Sequence, residues 1–182
     1  MLKNTASQYG VVSVSVHWLV ALAVFGLFAL GFWMVDLNYY SSWYRTAPHW
    51  HKSVGLLLAV VLIFRLVWRF ISPPPAALST HKAWERKGAV VVQLVLFLLL
   101  FVMVISGYLI STEDGRPIDV FDWFSVPSAG ALFDRQADIA GWIHEYVAYS
   151  LIALALCHAA AALKHHFIDK DSTLKRIFGR KS

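Results

Sequence analysis

Residues 139–167 read IAGWIHEYVAYSLIALALCHAAAALKHHF, a run that is apolar around most of a helix circumference. A helix satisfies its own backbone hydrogen bonds, so an apolar run of this length predicts a membrane-spanning helix. The run also carries two histidines, His144 and His158. Their spacing is nearly four turns at 3.6 residues per turn, which places both on one face of the helix, about 20 Å apart along its axis.

Three further apolar runs precede this one, and the second ends at the triple proline of residues 73–75. The chain is 58% hydrophobic and only 15% charged, which excludes an ordinary soluble protein of this size. We therefore predict an all-α, integral membrane four-helix bundle that forms a single domain over residues 1–182. The predicted spans are about 11–35, 48–71, 88–110 and 139–167.

Lysine and arginine are distributed unevenly between the two ends of these spans. Of the sixteen, twelve fall on one side: Lys3, Arg65, Arg69, Lys82, Arg86, Lys87, Lys164, Lys170, Lys175, Arg176, Arg180 and Lys181. Only Arg45, Lys52, Arg116 and Arg135 fall on the other. The positive-inside rule therefore places both termini in the cytoplasm. Because the net charge of +5 reflects topology, it does not indicate nucleic-acid binding.

Four of the eight histidines fall inside predicted spans, where ionisable residues are costly and usually functional. His17 and His158 lie at similar depth towards the cytoplasmic side, and His51 and His144 lie towards the outer side. A single such histidine is typical of a hydrogen bond between helices. Two pairs matched in depth instead predict two stacked haems, each with two axial imidazoles, which suits electron transfer. The spans lack the carboxylate clusters of a proton relay or a di-iron site.

Several residues leave alternatives open. His49 competes with His51 as a ligand, but Pro48 opens the helix and places His49 at its rim, so we favour His51. Arg65 and Arg69 lie four residues apart on one helix face. They hold either a haem propionate or a quinone head group, or they only extend to the interface.

Glycines within the spans have two readings as well. Gly26, Gly55 and Gly107 either admit a flat porphyrin or allow close helix packing. His165 and His166, at the end of the last span, lie at the surface or approach a haem edge.

The longest connection on the outer side, Glu113 to Asp138, carries six carboxylates and two arginines, a net charge of −4. Its apolar residues between 118 and 124 predict a short helix lying on the outer surface. Two cations near His51, Arg45 and Lys52, are candidates for attracting an anionic electron donor.

Four segments of the sequence resemble the bacterial cytochrome b561 family. They are SVSVHWLVAL (13–22), HWHKSVGLLL (49–58), RLVWR (65–69) and GWIHEYVAYSLIALALCHAAAALKHHFIDKDSTLKRI (141–177). The resemblance extends over nearly the whole chain, and the last segment is the most specific. The resemblance implies a multi-pass protein of the bacterial inner membrane in which His17 with His158, and His51 with His144, ligate two haems b.

Members similar to this sequence oxidise superoxide on the outer side and reduce ubiquinone in the membrane, and others are cytochrome b subunits of larger redox complexes. Three hypotheses follow. The first is a superoxide-to-quinone oxidoreductase, and the second is an electron-relay subunit that docks a redox partner protein. The third is a haem-free channel or transporter for small molecules. Superoxide use is implied by the resemblance more than by charge, because the outer loop is acidic.

Overall fold

A computed structural model describes residues 1–179, and four long helices account for most of this part of the chain. They are α1 (Val11–Met34), α2 (Thr46–Ile71), α3 (Ala83–Thr112) and α4 (Gln136–Phe167), and a short helix, α5 (Thr173–Ile177), follows. Each long helix is long and apolar enough to cross a membrane, and the predicted all-α membrane fold is confirmed. Arg180 and Lys181, which entered the topology count, lie outside the described residues.

Three of the four long helices extend beyond the predicted apolar runs by a few residues, and α1 ends one residue earlier than predicted. The third begins at Ala83 rather than at Gly88, because Glu85 accepts a hydrogen bond from the Lys82 N–H at 2.8 Å and caps the first turn. The fourth begins at Gln136, which is fully buried. Polar caps of this kind lie outside the hydrophobic stretch, so hydropathy does not locate them.

Large apolar side chains on the long helices are exposed. Leu22 is 71% exposed, Leu98 54% and Ile105 56%. In water each would forgo roughly 2 kcal/mol of burial free energy. Hydrocarbon around the helices removes this cost, as expected of a membrane protein.

Two compact units make up the described structure. The first comprises Met1–Val20, Val61–Leu98 and the chain from Ala153 onward. Within it, the Trp68 indole N–H donates to Ser13 Oγ at 3.1 Å, and the Trp18 indole N–H donates to the Ile177 carbonyl at 3.1 Å. These bonds join α1 to α2 and to α5 while satisfying indole groups that lipid cannot hydrate.

The second unit comprises Ala21–Val60 and Leu99–Ile152. The fully buried Ser53 of α2 donates to the Asp119 carbonyl at 3.3 Å and accepts from the Phe121 N–H at 2.9 Å. The Gln136 side-chain amide donates to the Leu109 carbonyl at 2.9 Å. Side chains thus attach the loop after α3 to α2, and α4 to α3. The single-domain organisation stays a prediction.

The loop after α3 forms a β-hairpin, so the predicted surface helix is wrong. Strand β1 (Ile118–Val120) pairs antiparallel with β2 (Phe124–Val126), with Ile118 opposite Val126. Ile118 and Val120 are buried while the residue between them is exposed, which is the two-residue period of a strand. Phe121, at φ +47°, lies in the left-handed region where the chain reverses.

Candidate functional site

Two histidines from different helices approach each other in the second unit. His51 of α2 and His144 of α4 have ring centroids 6.1 Å apart and ring planes inclined at 67°. Two imidazoles bound on opposite sides of one metal ion, with bonds of about 2 Å and about 1 Å more from each nitrogen to its ring centre, have centres roughly 6 Å apart. The observed separation therefore fits a metal ion held between the rings, as in bis-histidine haem.

His51 is positioned by α1. A Cβ atom added at Gly31 would lie 3.1 Å from His51 Cε1, so the absence of a side chain at Gly31 admits the ring. His51 Nδ1 is buried and has no hydrogen-bond partner among the described residues, and the Leu27 carbonyl, one turn before Gly31, interacts with the His51 ring. The tautomer that carries its proton on Nδ1 leaves Nε2 with its lone pair free for a metal ion.

His144 is positioned by α3 in the same manner. The Ser106 hydroxyl lies 2.7 Å from the Val102 carbonyl and 3.0 Å from His144 Nδ1. Because the carbonyl can only accept, the hydroxyl donates to it and accepts from an Nδ1–H of His144. This bond selects the tautomer whose Nε2 is free to ligate. The Met103 carbonyl is a second acceptor that acts on the ring.

The glycine that contacts each histidine ring lies four residues after a backbone carbonyl that interacts with the same ring. A Cβ added at Gly107 would lie 3.1 Å from His144 Cε1, and Gly107 follows Met103 by four residues. Gly31 follows Leu27 by the same interval. Each histidine thus packs on a glycine of the neighbouring helix, and the carbonyl one turn before that glycine interacts with the imidazole ring. Gly31 and Ser106 were not identified from the sequence, because hydropathy gives no signal for a glycine or serine that supports a ring.

The glycines considered from the sequence differ in their surroundings. Gly107 packs against His144, in agreement with close helix packing. A Cβ at Gly26 or Gly55 would meet no described atom within 4 Å. Gly26 is exposed, so its open space carries no information about a cofactor. Gly55 is partly buried and lies one turn after His51, where open space fits a planar group beside the ring.

The first unit holds the other two candidate ligands. His17 of α1 lies within electrostatic range of Arg65 and of His158 of α4, and both histidines are partly buried. His158 in turn lies within range of Arg65. The three side chains therefore form one group that combines two imidazoles with a guanidinium. An anionic substituent such as a propionate fits beside this guanidinium.

Arg69 differs from Arg65 in exposure. Arg65 is partly buried and lies within electrostatic range of Arg69 and Tyr9, whereas Arg69 is exposed. Of the two, Arg65 is better placed to hold an anion, because electrostatic attraction is stronger where less water screens it.

Charges near His51 are partly neutralised by acidic residues. Arg45 is exposed, while Lys52 is partly buried and lies within electrostatic range of Asp114. Hydrogen bonds from Arg116, the nearer at 2.6 Å, hold the pKa of the Asp114 carboxyl below its usual range. Both arginines of the loop are thus engaged, since Arg135 pairs with Asp138 at 3.2 Å.

His49 faces the hairpin. Its ring contacts Phe121 at a centroid distance of 5.9 Å in an edge-to-face arrangement. A groove of about 460 Å³ lies beside it, lined by His49, Asp119, Phe121, Asp122, Trp123, Phe124 and Ser125. His49 thus belongs to a surface with aromatic and acidic groups, whereas the ring of His51 approaches that of His144.

Comparison with known proteins identifies relatives along almost the whole chain. A family model described as prokaryotic cytochrome b561 matches residues 8–180. Cytochrome b561 homolog 2 of Escherichia coli K12 is 53% identical over 179 residues, which cover 98% of this chain and 95% of that protein. A probable superoxide oxidase of Yersinia pestis is 26% identical over 178 residues, 96% of this chain and 97% of that protein.

Proposed function

The chain belongs to the prokaryotic cytochrome b561 family of haem-binding membrane electron-transfer proteins, and we propose that it oxidises superoxide and reduces ubiquinone through two haems b. The observation that carries this proposal is the His51–His144 pair. Its 6.1 Å ring separation matches two imidazoles on one iron. A haem held by these two imidazoles would supply one-electron transfer.

We assign the second haem to His17 and His158. Arg65 lies within electrostatic range of both rings, and it supports an anionic propionate or a quinone head group at this site. Exposed Arg69 takes the same role only at the membrane interface. The four histidines come from three helices, α1, α2 and α4, while α3 supplies the ring support at Ser106 and Gly107.

The proposed reaction balances in atoms and electrons. Two superoxide anions each lose one electron and become dioxygen, and one ubiquinone takes up the two electrons with two protons to become ubiquinol. Support for superoxide as the donor comes from the name of the Yersinia pestis relative and from Arg45 and Lys52, whose positive charges attract an anion towards His51. The attraction is reduced because Lys52 interacts with Asp114.

The proposed orientation places both termini in the cytoplasm, so that the hairpin and His51 face the outer side. The uneven distribution of lysine and arginine supports this orientation. Superoxide formed outside the cytoplasm then meets the side of the protein that carries Arg45 and Lys52.

Stopped-flow spectroscopy on purified protein tests the proposal. Pyridine haemochrome analysis should give two haems b per chain, and superoxide should reduce haem rapidly, with a ubiquinone analogue reoxidising it. Protein in oriented liposomes, with superoxide generated on one known face, should respond faster from the face that carries Arg45 and Lys52. Equal rates from both faces contradict the orientation, and absence of haem reduction by superoxide contradicts the donor.

A second candidate function is an electron-relay subunit. The acidic loop favours it, because both loop arginines are held in ion pairs, and the groove at the hairpin presents aromatic side chains beside Asp119 and Asp122. Such a surface suits a basic redox protein. The relay would be favoured if a reduced basic electron carrier reduces the haem in a salt-dependent manner and superoxide does not reduce it. A reducible Soret band in the purified protein would exclude a haem-free channel.

A further inference from the structure

The β-hairpin after α3 lies against the turn of α2 that carries His51. The Ser53 hydroxyl donates to the Asp119 carbonyl at 3.3 Å and accepts from the Phe121 N–H at 2.9 Å. Ser53 is fully buried and follows His51 by two residues. A single hydroxyl of α2 thus binds the hairpin backbone on both sides of Val120, which is also fully buried.

The other end of the hairpin is attached to the turn of α3 that supports His144. The Tyr108 hydroxyl donates to the carbonyl of Pro127, the residue that follows β2, at 2.7 Å. Tyr108 is adjacent in sequence to Gly107, which contacts the His144 ring. The hairpin therefore joins α2 and α3 beside the positions that carry or support the two imidazoles.

Aromatic rings of the hairpin pack on the first turns of α2. The ring of Phe121 contacts those of His49 and Trp50 edge-to-face, with centroids 5.9 and 5.6 Å away, and that of Trp123 at 5.3 Å. Phe121 has φ +47°, which is unfavourable for a residue with a bulky side chain. Its bond to Ser53 holds the backbone in this conformation. Such conformations persist where surrounding contacts enforce them, and they concentrate at functional sites.

A haem held by His51 and His144, which we call the outer haem, would lie close to the ends of the helices. His51 is five residues after the first residue of α2, and Gly107 is five residues before the last residue of α3. At 1.5 Å per residue, each interval is roughly 8 Å. Water at these helix ends would reach so large a planar group unless another segment covers it.

We propose that the hairpin shields the outer haem from water and thereby raises its midpoint potential, with Ser53 and Tyr108 as the residues that position the hairpin. The inference rests on the proposed haem at His51 and His144. Oxidised haem iron carries one more positive charge than reduced iron, and water stabilises charge, so exclusion of water favours the reduced state. A higher midpoint potential favours electron transfer from superoxide to this haem.

Potentiometric titration of the full-length protein with optical detection tests the inference. Ser53→Ala removes both hydrogen bonds to the hairpin, so the equilibrium constant for reduction of the outer haem should fall about tenfold, which lowers its midpoint potential by about 59 mV. The midpoint potential of the inner haem, at His17 and His158, should not change. Ser125→Ala is the matched control, because the Ser125 hydroxyl donates to the Asp119 carboxylate within the hairpin itself. Both potentials of this variant should equal those of the unchanged protein.

Hydrogen–deuterium exchange reports whether the hairpin loosens, and the Phe121 amide should exchange at least tenfold faster in Ser53→Ala. Unchanged exchange overturns the positioning role of Ser53. Faster exchange with an unchanged potential of the outer haem overturns the shielding. Equal shifts at both haems, or the same shift in Ser125→Ala, overturn it as well.

A second variant and the haem content complete the test. If Ser53→Ala fails to fold, Tyr108→Phe removes the bond to Pro127, keeps the ring, and should shift the potential of the outer haem in the same direction. His144→Ala, which should retain the inner haem, identifies which transition belongs to which haem. Fewer than two haems in the unchanged protein overturn the proposed function itself. Two haems with an unshifted outer potential overturn only the shielding by the hairpin.

Discussion

The two histidine pairs differ in what surrounds them. His51 and His144 are held by uncharged groups, namely glycines, backbone carbonyls and the Ser106 hydroxyl. His17 and His158 share their surroundings with the guanidinium of Arg65. Both pairs thus offer imidazoles as candidate ligands. Packing contacts surround His51 and His144, whereas a positive charge lies beside His17 and His158.

The surroundings of the first pair control the orientation of its rings, whereas the charge beside the second pair affects its reduction potential. A glycine contact and an Nδ1 acceptor determine the ring orientation and tautomer, and hence ligand strength. A neighbouring cation favours the reduced state of a metal centre, because reduction removes one positive charge. If each pair holds a haem, electrons that arrive at His51–His144 are drawn towards the pair beside Arg65. This direction agrees with superoxide entering near Arg45 and Lys52.

The largest expected effect is loss of one haem on substitution of a ligand. His144→Ala removes one imidazole from the His51–His144 pair and leaves His17 and His158 unchanged, so the haem-to-protein ratio should fall from about two to about one. Pyridine haemochrome analysis of the purified variant measures this ratio. His49→Ala serves as the control and should retain both haems. Loss of both haems from a folded variant would show that the proposed pairing is wrong.

A smaller effect is expected when a ring support is overpacked. Gly31→Ala places a Cβ 3.1 Å from His51 Cε1, which forces the ring to move at a cost of roughly 1–3 kcal/mol. Haem at this pair should bind about tenfold more weakly, as measured by transfer to a haem-accepting protein. Gly88→Ala is the matched control, since a Cβ there meets no described atom within 4 Å. Equal haem loss from both variants would remove the argument for support by Gly31.

Removal of the positive charge of Arg65 should change the reduction potential only at the His17–His158 pair. A unit charge acting over about 10 Å in an effective dielectric of about 20 contributes roughly 1–2 kcal/mol, which corresponds to about 60 mV for one electron. Arg65→Leu should therefore lower the midpoint potential of the His17–His158 haem by this amount. Potentiometric titration with optical detection resolves the two haems. A shift in midpoint potential confined to the haem at His51 and His144 would contradict the assignment of Arg65.

The smallest effect concerns electrostatic attraction at the outer face. Lys52→Glu should lower the bimolecular rate of haem reduction by superoxide about two- to fivefold at low ionic strength, and the difference should shrink as salt is added. The effect is modest because Asp114 already offsets the charge of Lys52. Lys175→Glu, an exposed change in α5, is the control. A rate indifferent to Lys52→Glu and to salt would exclude attraction by this residue.

Several features of the molecule were predictable from the sequence because they depend on composition and spacing. Membrane spans follow from long apolar runs, and candidate ligands follow from the rarity of histidine in such runs. Helix ends were less accurate, since the cap at Glu85 lies outside the hydrophobic stretch. The surface helix predicted after α3 is wrong, because a few alternating aromatic and acidic residues fit a helix as well as two strands. The hydrogen bonds between Ser53 and the backbone of the hairpin, which the sequence does not reveal, hold this segment.

The sequence by itself determined the all-α membrane fold and the set of intramembrane histidines, because hydropathy and depth are local properties that survive without knowledge of contacts. Only the tertiary structure decided that Gly31 supports His51, that Ser106 selects the tautomer of His144, and that Ser53 binds the backbone of the hairpin. These contacts join residues far apart in the chain. Their geometry depends on helix rotation and packing to within an ångström, which no periodicity in a single sequence specifies.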